Sequence, residues 1–124
     1  MRKIAIDIDG TLATIDEKFF DPIHIGMPFE HAVHFTQELK KNGYYIILHT
    51  CRTNAELNKG NGIATPYVVK VIKNWCKLNN IEFDEIWTGE GKPYADWYVD
   101  DRAIYCNPEK DQNAYAGVLG GLIK

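Results

Sequence analysis

A nearly unbroken apolar run, Lys3-Ile4-Ala5-Ile6-Asp7-Ile8-Asp9, ends in two carboxylates and then breaks at Gly10-Thr11. Apolar residues in succession, rather than in alternation with polar ones, mark a strand buried on both faces, the habit of parallel sheets with helices laid over them. Residues 3 to 9 therefore predict strand one, with acidic side chains at its carboxyl end.

The rest of the chain supplies the partners such a strand needs. Residues 12 to 27 mix polar, aromatic and proline residues without a sustained period and read as a loop or small flap. From about Phe29 to Lys41 the residues Phe29, Ala32, Val33, Phe35 and Leu39 approximate helical spacing, and Asn42-Gly43 supplies a stop. Tyr44 to Leu48 predicts strand two, followed by His49-Thr50-Cys51-Arg52, with residues 53 to 64 read as a loop. Thr65 as a cap and Pro66 at the first helical position open a helix to about Asn79, its buried side marked by Val68, Val71, Ile72, Trp75 and Leu78. Glu85 to Thr88 and Trp97 to Val99 predict two further short strands, separated by the turn-rich Gly89-Glu90-Gly91-Lys92-Pro93. Residues 111 to 124 predict a weak terminal helix interrupted by glycines.

Strands alternating with helices mean parallel strands joined by right-handed crossovers, and ligands of such sheets bind beyond the carboxyl ends of the strands. The expected fold is a three-layer α/β/α Rossmann-like domain with a central parallel sheet, one domain over residues 1–124. Asp7 and Asp9 end strand one, Thr50 follows strand two, and Asp100 with Asp101 follow strand four, so all are expected on one rim.

Those residue types suit phosphoryl chemistry. In an extended chain Asp7 and Asp9 project to one side with roots roughly 7 Å apart, leaving room for a phosphoryl group. Asp7 can attack phosphorus, and Asp9 can protonate the departing oxygen and later deprotonate water. Like charges about 4 Å apart repel by roughly 4 kcal/mol at an effective dielectric near 20, so Asp7, Asp9, Asp100 and Asp101 together call for a cation. Mg²⁺ fits, held by Asp7, Asp100 and the Asp9 main-chain carbonyl, with Asp101 a ligand directly or through water. Lys92 and the Thr50 hydroxyl are expected to meet charge on the phosphoryl oxygens, and the amides of Gly10 and Thr11 to face the phosphate.

Composition narrows the partners. The net charge is −3 and no run of like charges occurs, which argues against a general electrostatic grip on nucleic acid. No signal peptide or membrane-spanning segment is visible, and the three cysteines form no C-x-x-C pair, so a cytoplasmic protein with reduced thiols is expected.

In that order the residues resemble the haloacid dehalogenase superfamily, in particular its small phosphatases. Asp7-Ile8-Asp9-Gly10-Thr11-Leu12 is similar to the first motif, Thr50 after Tyr45-Ile46-Ile47-Leu48 to the second, Lys92 to the third, and Val99-Asp100-Asp101 to the fourth. The resemblance implies an Mg²⁺-dependent phosphomonoesterase working through an aspartyl-phosphate. Family caps lie between the first and second or the second and third motifs. Asp7 to Thr50 is 43 positions and Thr50 to Lys92 is 42, each filled by one expected helix and a loop, so no cap domain is expected. An open site of that kind implies a bulky substrate or a neighbouring subunit over the rim, hence room for a homo-oligomer. Dehalogenating relatives lack the second aspartate, so Asp9 points to phosphate.

Competing readings stay open at this level. Arg52 either pairs with substrate phosphate or forms a salt bridge. The four histidines show no metal-ligand pattern beyond one pair separated by three, and Cys51 lies too near Arg52 for a cysteine-phosphatase loop. Phe19, Phe20 and Tyr94 are candidates for the mouth of the site. A phosphotransferase or mutase, or a receiver-like module that accepts phosphate without fast turnover, would share part of this pattern. Asp9, as a general acid, favours the hydrolase. Sugar phosphates, nucleotides and short-chain phosphoesters all remain candidate substrates.

Overall fold

The computed structural model describes residues 2–15 and 21–123. Phe19 and Phe20 lie outside them. The elements run β1 (Lys3–Ile6), α1 (Ala32–Lys41), β2 (Tyr45–Leu48), a 3-10 turn (Cys51–Thr53), α2 (Ala55–Gly60), α3 (Thr65–Asn79), β3 (Glu85–Ile86), β4 (Trp97–Val99) and α4 (Ala114–Leu122). The four strands form one parallel sheet in the order β3-β2-β1-β4. The first strand is thus flanked by β2 on one side and β4 on the other, and the reversal of strand order beside it is where an α/β sheet opens a crevice.

The register explains the core. Ile4 and Ile6 of β1 lie beside Ile46 and Leu48 of β2, and these four pack with Ala32 of α1 and Val68, Ile72 and Cys76 of α3. Ala5 and Ile47, which point to the opposite face, are equally buried, so the central strands are covered on both sides, as their unalternating sequence requires. The protein is an α/β fold with a Rossmann-like parallel sheet and flanking helices.

Several local expectations are corrected. The first strand ends at Ile6, and residues 8 to 13 form a tight turn in which the N–H groups of Leu12 and Ala13 both donate to the Ile8 carbonyl. Asp9 therefore stands on a turn, not in an extended strand. Helix α1 starts at Ala32 rather than Phe29, after His31 at φ 73°. The segment read as a loop after Thr53 contains α2, capped by the Asn54 side chain, which accepts the Leu57 N–H at 3.0 Å. Six residues are too few to show a hydrophobic period, so only that cap announced the helix. Thr65 does not cap α3. Ala64 precedes the helix and Thr65 Oγ1 accepts instead from Asn58 Nδ2 at 3.0 Å. Leu78 is 82% exposed and Cys76 fills the core position the stripe had given it, because two residues along a helix are nearly opposite in direction. No described helix is long and apolar enough to cross a membrane.

Candidate active site

Backbone hydrogen bonds carry the sheet one residue past its strands and into the site. The Asp7 N–H donates to the Val99 carbonyl at 2.9 Å, and the His49 N–H donates to the Ile6 carbonyl at 2.9 Å. Asp7 is thereby locked between the ends of β4 and β2, and Asp100 follows Val99 on the same rim. One carboxylate oxygen each from Asp7, Asp100 and Asp101 lie within 4.8 Å of one another. A cleft of about 680 Å³ opens over them, lined also by Asp9, His49, Thr50 and Trp87.

The electrostatics of this cluster are unfavourable without a counter-ion. Burial raises the Asp7 pKa from 3.8 to about 7, and the neighbouring charges of Asp100, Asp9 and Asp101 push it the same way. The Thr11 hydroxyl reaches Asp7 Oδ2 only at 3.5 Å and relieves little. Three convergent hard oxygen donors with one carboxyl pushed into its neutral form are the donor set a divalent cation satisfies, so the residues present fit Mg²⁺. Space confirms how close the packing is: a Cβ on Gly10, itself at φ +85°, would run into Asp101 Oδ2. Asp9 contributes no side-chain oxygen to the three-carboxylate group.

The structure gives several expected residues different partners. Arg52 is 2% exposed and its guanidinium forms a fork on Asp9, with Nε to Oδ2 and Nη2 to Oδ1 both at 2.8 Å. The pair is a buried salt bridge, and Arg52 is not among the residues that line the cleft. The N–H groups of Gly10 and Thr11 donate to the carbonyls of Ala13 (2.8 Å) and Ile8 (3.2 Å), inside the turn. They are not presented to the cleft, because closing so tight a turn uses its own amides. Lys92 Nζ rests 4.4 Å from the centroid of the Tyr98 ring, outside the cleft lining. Thr50 lines the cleft, its Oγ1 accepting the Arg52 N–H at 3.2 Å, which leaves the hydroxyl hydrogen to donate elsewhere. Tyr94 is 80% exposed and does not line the cleft.

His49 and Trp87 are among the lining residues to which the sequence assigned no role. The His49 pKa is lowered mainly by burial, with the charge of Asp100 opposing and that of Lys92 adding to the effect. Trp87 follows β3, its N–H donating to the Leu48 carbonyl at 2.9 Å and its indole Nε1 to the Gly91 carbonyl at 2.9 Å. Their place one residue beyond a strand end was the available signal.

Comparison with solved structures finds the same fold over nearly the whole chain. A conserved protein from Bacteroides thetaiotaomicron is 20% identical, with a TM-score of 0.57 over 94% of this chain and 95% of that one. A structural-genomics target from Vibrio cholerae is 23% identical, with a TM-score of 0.51 over 95% and 99%. A D,D-heptose 1,7-bisphosphate phosphatase from B. bronchiseptica, crystallised with magnesium and phosphate, aligns at 15% identity and a TM-score of 0.49 over 98% of this chain and 64% of its own length. No family model and no curated protein matches the chain. Fold and rim together define an α/β Rossmann-like protein with a carboxylate-lined cleft at the carboxyl ends of its parallel strands.

Proposed function

We propose that this protein is a Mg²⁺-dependent phosphomonoester hydrolase of the haloacid dehalogenase type, with Asp7 as the nucleophile. The observation that carries the reading is the convergence of Asp7, Asp100 and Asp101 from the ends of two adjacent parallel strands. Chain segments more than ninety residues apart in sequence meet there, at a cost in charge repulsion that structure alone gives no reason to bear.

In this reading an Asp7 carboxylate oxygen attacks phosphorus in line. The bond from phosphorus to the leaving oxygen breaks, its electron pair goes to that oxygen, and Asp9 supplies a proton carried on a lone pair that Arg52 does not occupy. Water then attacks the aspartyl-phosphate, Asp9 takes a proton from it, and Asp7 is regenerated as inorganic phosphate departs. Thr50 donates its hydroxyl to a phosphoryl oxygen, and Lys92, on a flexible stem, leaves the Tyr98 ring to meet the phosphate charge. Asp7, Asp100 and Asp101 would hold Mg²⁺, which when bound would supply positive charge to a phosphate and favour ionised Asp7. The cleft of about 680 Å³ has room for a phosphomonoester such as a sugar phosphate or a nucleotide.

A panel of phosphomonoesters assayed with Mg²⁺ and with chelator tests the proposal. Release of inorganic phosphate should require the metal and should vanish in Asp7→Asn. Hydrolysis that persists in that variant rules the mechanism out.

A further inference from the structure

We propose that Arg52 is a positioning residue, whose guanidinium aims the Asp9 carboxylate at the reacting atoms and acts on the reaction through it. The inference rests on the phosphatase reading above and adds what sets the direction of its acid–base group.

On an extended strand the pleat alone would aim Asp9 beside Asp7. Asp9 instead sits on the turn after β1, beyond the pleated strand that would have set its direction. Arg52 replaces the missing constraint. Nε and Nη2 each hold one Asp9 oxygen at 2.8 Å, which fixes both the position and the plane of the carboxylate. Nη1 donates to the Asp21 carbonyl at 2.7 Å, so the guanidinium is itself anchored on a third chain segment. The pair is almost wholly enclosed, at 2% and 6% side-chain exposure, where charges are costly to desolvate and apolar side chains would serve stability as well. Asp9 lines the cleft, whereas Arg52 does not, so any influence of the guanidinium on bound phosphate passes through Asp9. The Arg52 main chain orients a second group of the site, because its N–H occupies an acceptor position on Thr50 Oγ1.

Steady-state kinetics on p-nitrophenyl phosphate with Mg²⁺ separate positioning from phosphate binding. Arg52→Ala and Arg52→Lys are each made in the native and the Asp9→Asn backgrounds, with inorganic phosphate as competing inhibitor. The expected result for Arg52→Ala is a fall in kcat of about 100-fold, the scale of a misplaced catalytic group, with KM and phosphate inhibition changed by less than about 3-fold. In the Asp9→Asn background the same substitution should cost nothing further, the signature of two residues acting as one unit. Added guanidinium ion should restore part of the lost turnover. Arg52→Lys keeps a buried charge, and therefore the fold, but lacks the fork. It should lose about 10-fold in kcat with the same non-additivity, and it decides the matter if Arg52→Ala does not fold. A raised KM with weakened phosphate inhibition, or a loss that multiplies with Asp9→Asn, overturns the inference and leaves the phosphatase reading standing. A native protein that hydrolyses no phosphomonoester overturns both.

Discussion

Replacing Asp7 by asparagine should make the cation-free protein more stable while ending its turnover. The Asp7 carboxyl is raised from 3.8 to about 7, first by burial and then by Asp100, Asp9 and Asp101. The native state therefore holds the proton more tightly than the unfolded chain. Stability is fullest below about pH 4 and is lost as pH rises to about 7, because ionising Asp7 in place is harder than ionising it in water. A rise of that size corresponds to about 4 kcal/mol. Asp7 is only partly buried, and solvent screening reduces the figure to about 2 kcal/mol. Asparagine keeps the shape and the capacity to accept the Thr11 hydroxyl but carries no charge. In chelator at pH 8 the variant should be more stable by about 2 kcal/mol, or roughly 6–8 °C in Tm for a chain of this size. Toward pH 4 the two proteins should converge. Excess Mg²⁺ should reverse the order, since it binds the native carboxylates and not the unfolded chain. Urea denaturation across this pH range, with and without metal, measures all of it. A variant that is less stable than the native protein at pH 8 in chelator, or one that Mg²⁺ stabilises equally, would refute the reasoning.

Two further substitutions separate the site from the scaffold. Gly10→Ala puts a Cβ onto Asp101 at a backbone φ of +85°, and should cost about 1–3 kcal/mol of stability while weakening the Tm increase that Mg²⁺ gives, read by thermal melts with and without metal. Asp84 accepts Lys40 Nζ at 2.8 and 2.7 Å and the Ile46 N–H at 2.8 Å, tying the end of α1 to β2 and β3. Asp84→Ala should lose about 1–3 kcal/mol in urea denaturation by leaving that N–H unpaired, with KM unchanged in Mg²⁺.

Much of the architecture was legible because apolar pattern and direction of burial are the same information. Ile4, Ile6, Ile46 and Leu48 announced central strands, and Val68 and Ile72 the inner face of α3. Short elements were not legible, since α2 has too few residues for a period and depends on the Asn54 cap. Leu78 and Cys76 show the limit from another side: both are apolar, and only the docking of α3 on the sheet decides which of them is enclosed.

The same division runs through the site. The order of residues in the chain determined that Asp7, Thr50, Asp100 and Asp101 would follow strand ends, and a parallel sheet gathers such ends at one rim. What a side chain touches there was decided only by tertiary structure. Arg52 and Asp9 are 43 positions apart, and nothing local distinguishes an arginine that grips a neighbouring carboxylate from one that awaits a phosphate. Strand direction is set by backbone sterics and read residue by residue, whereas the pairing of charges depends on which turns bring them within about 3 Å, a distance that exists only once the chain is folded.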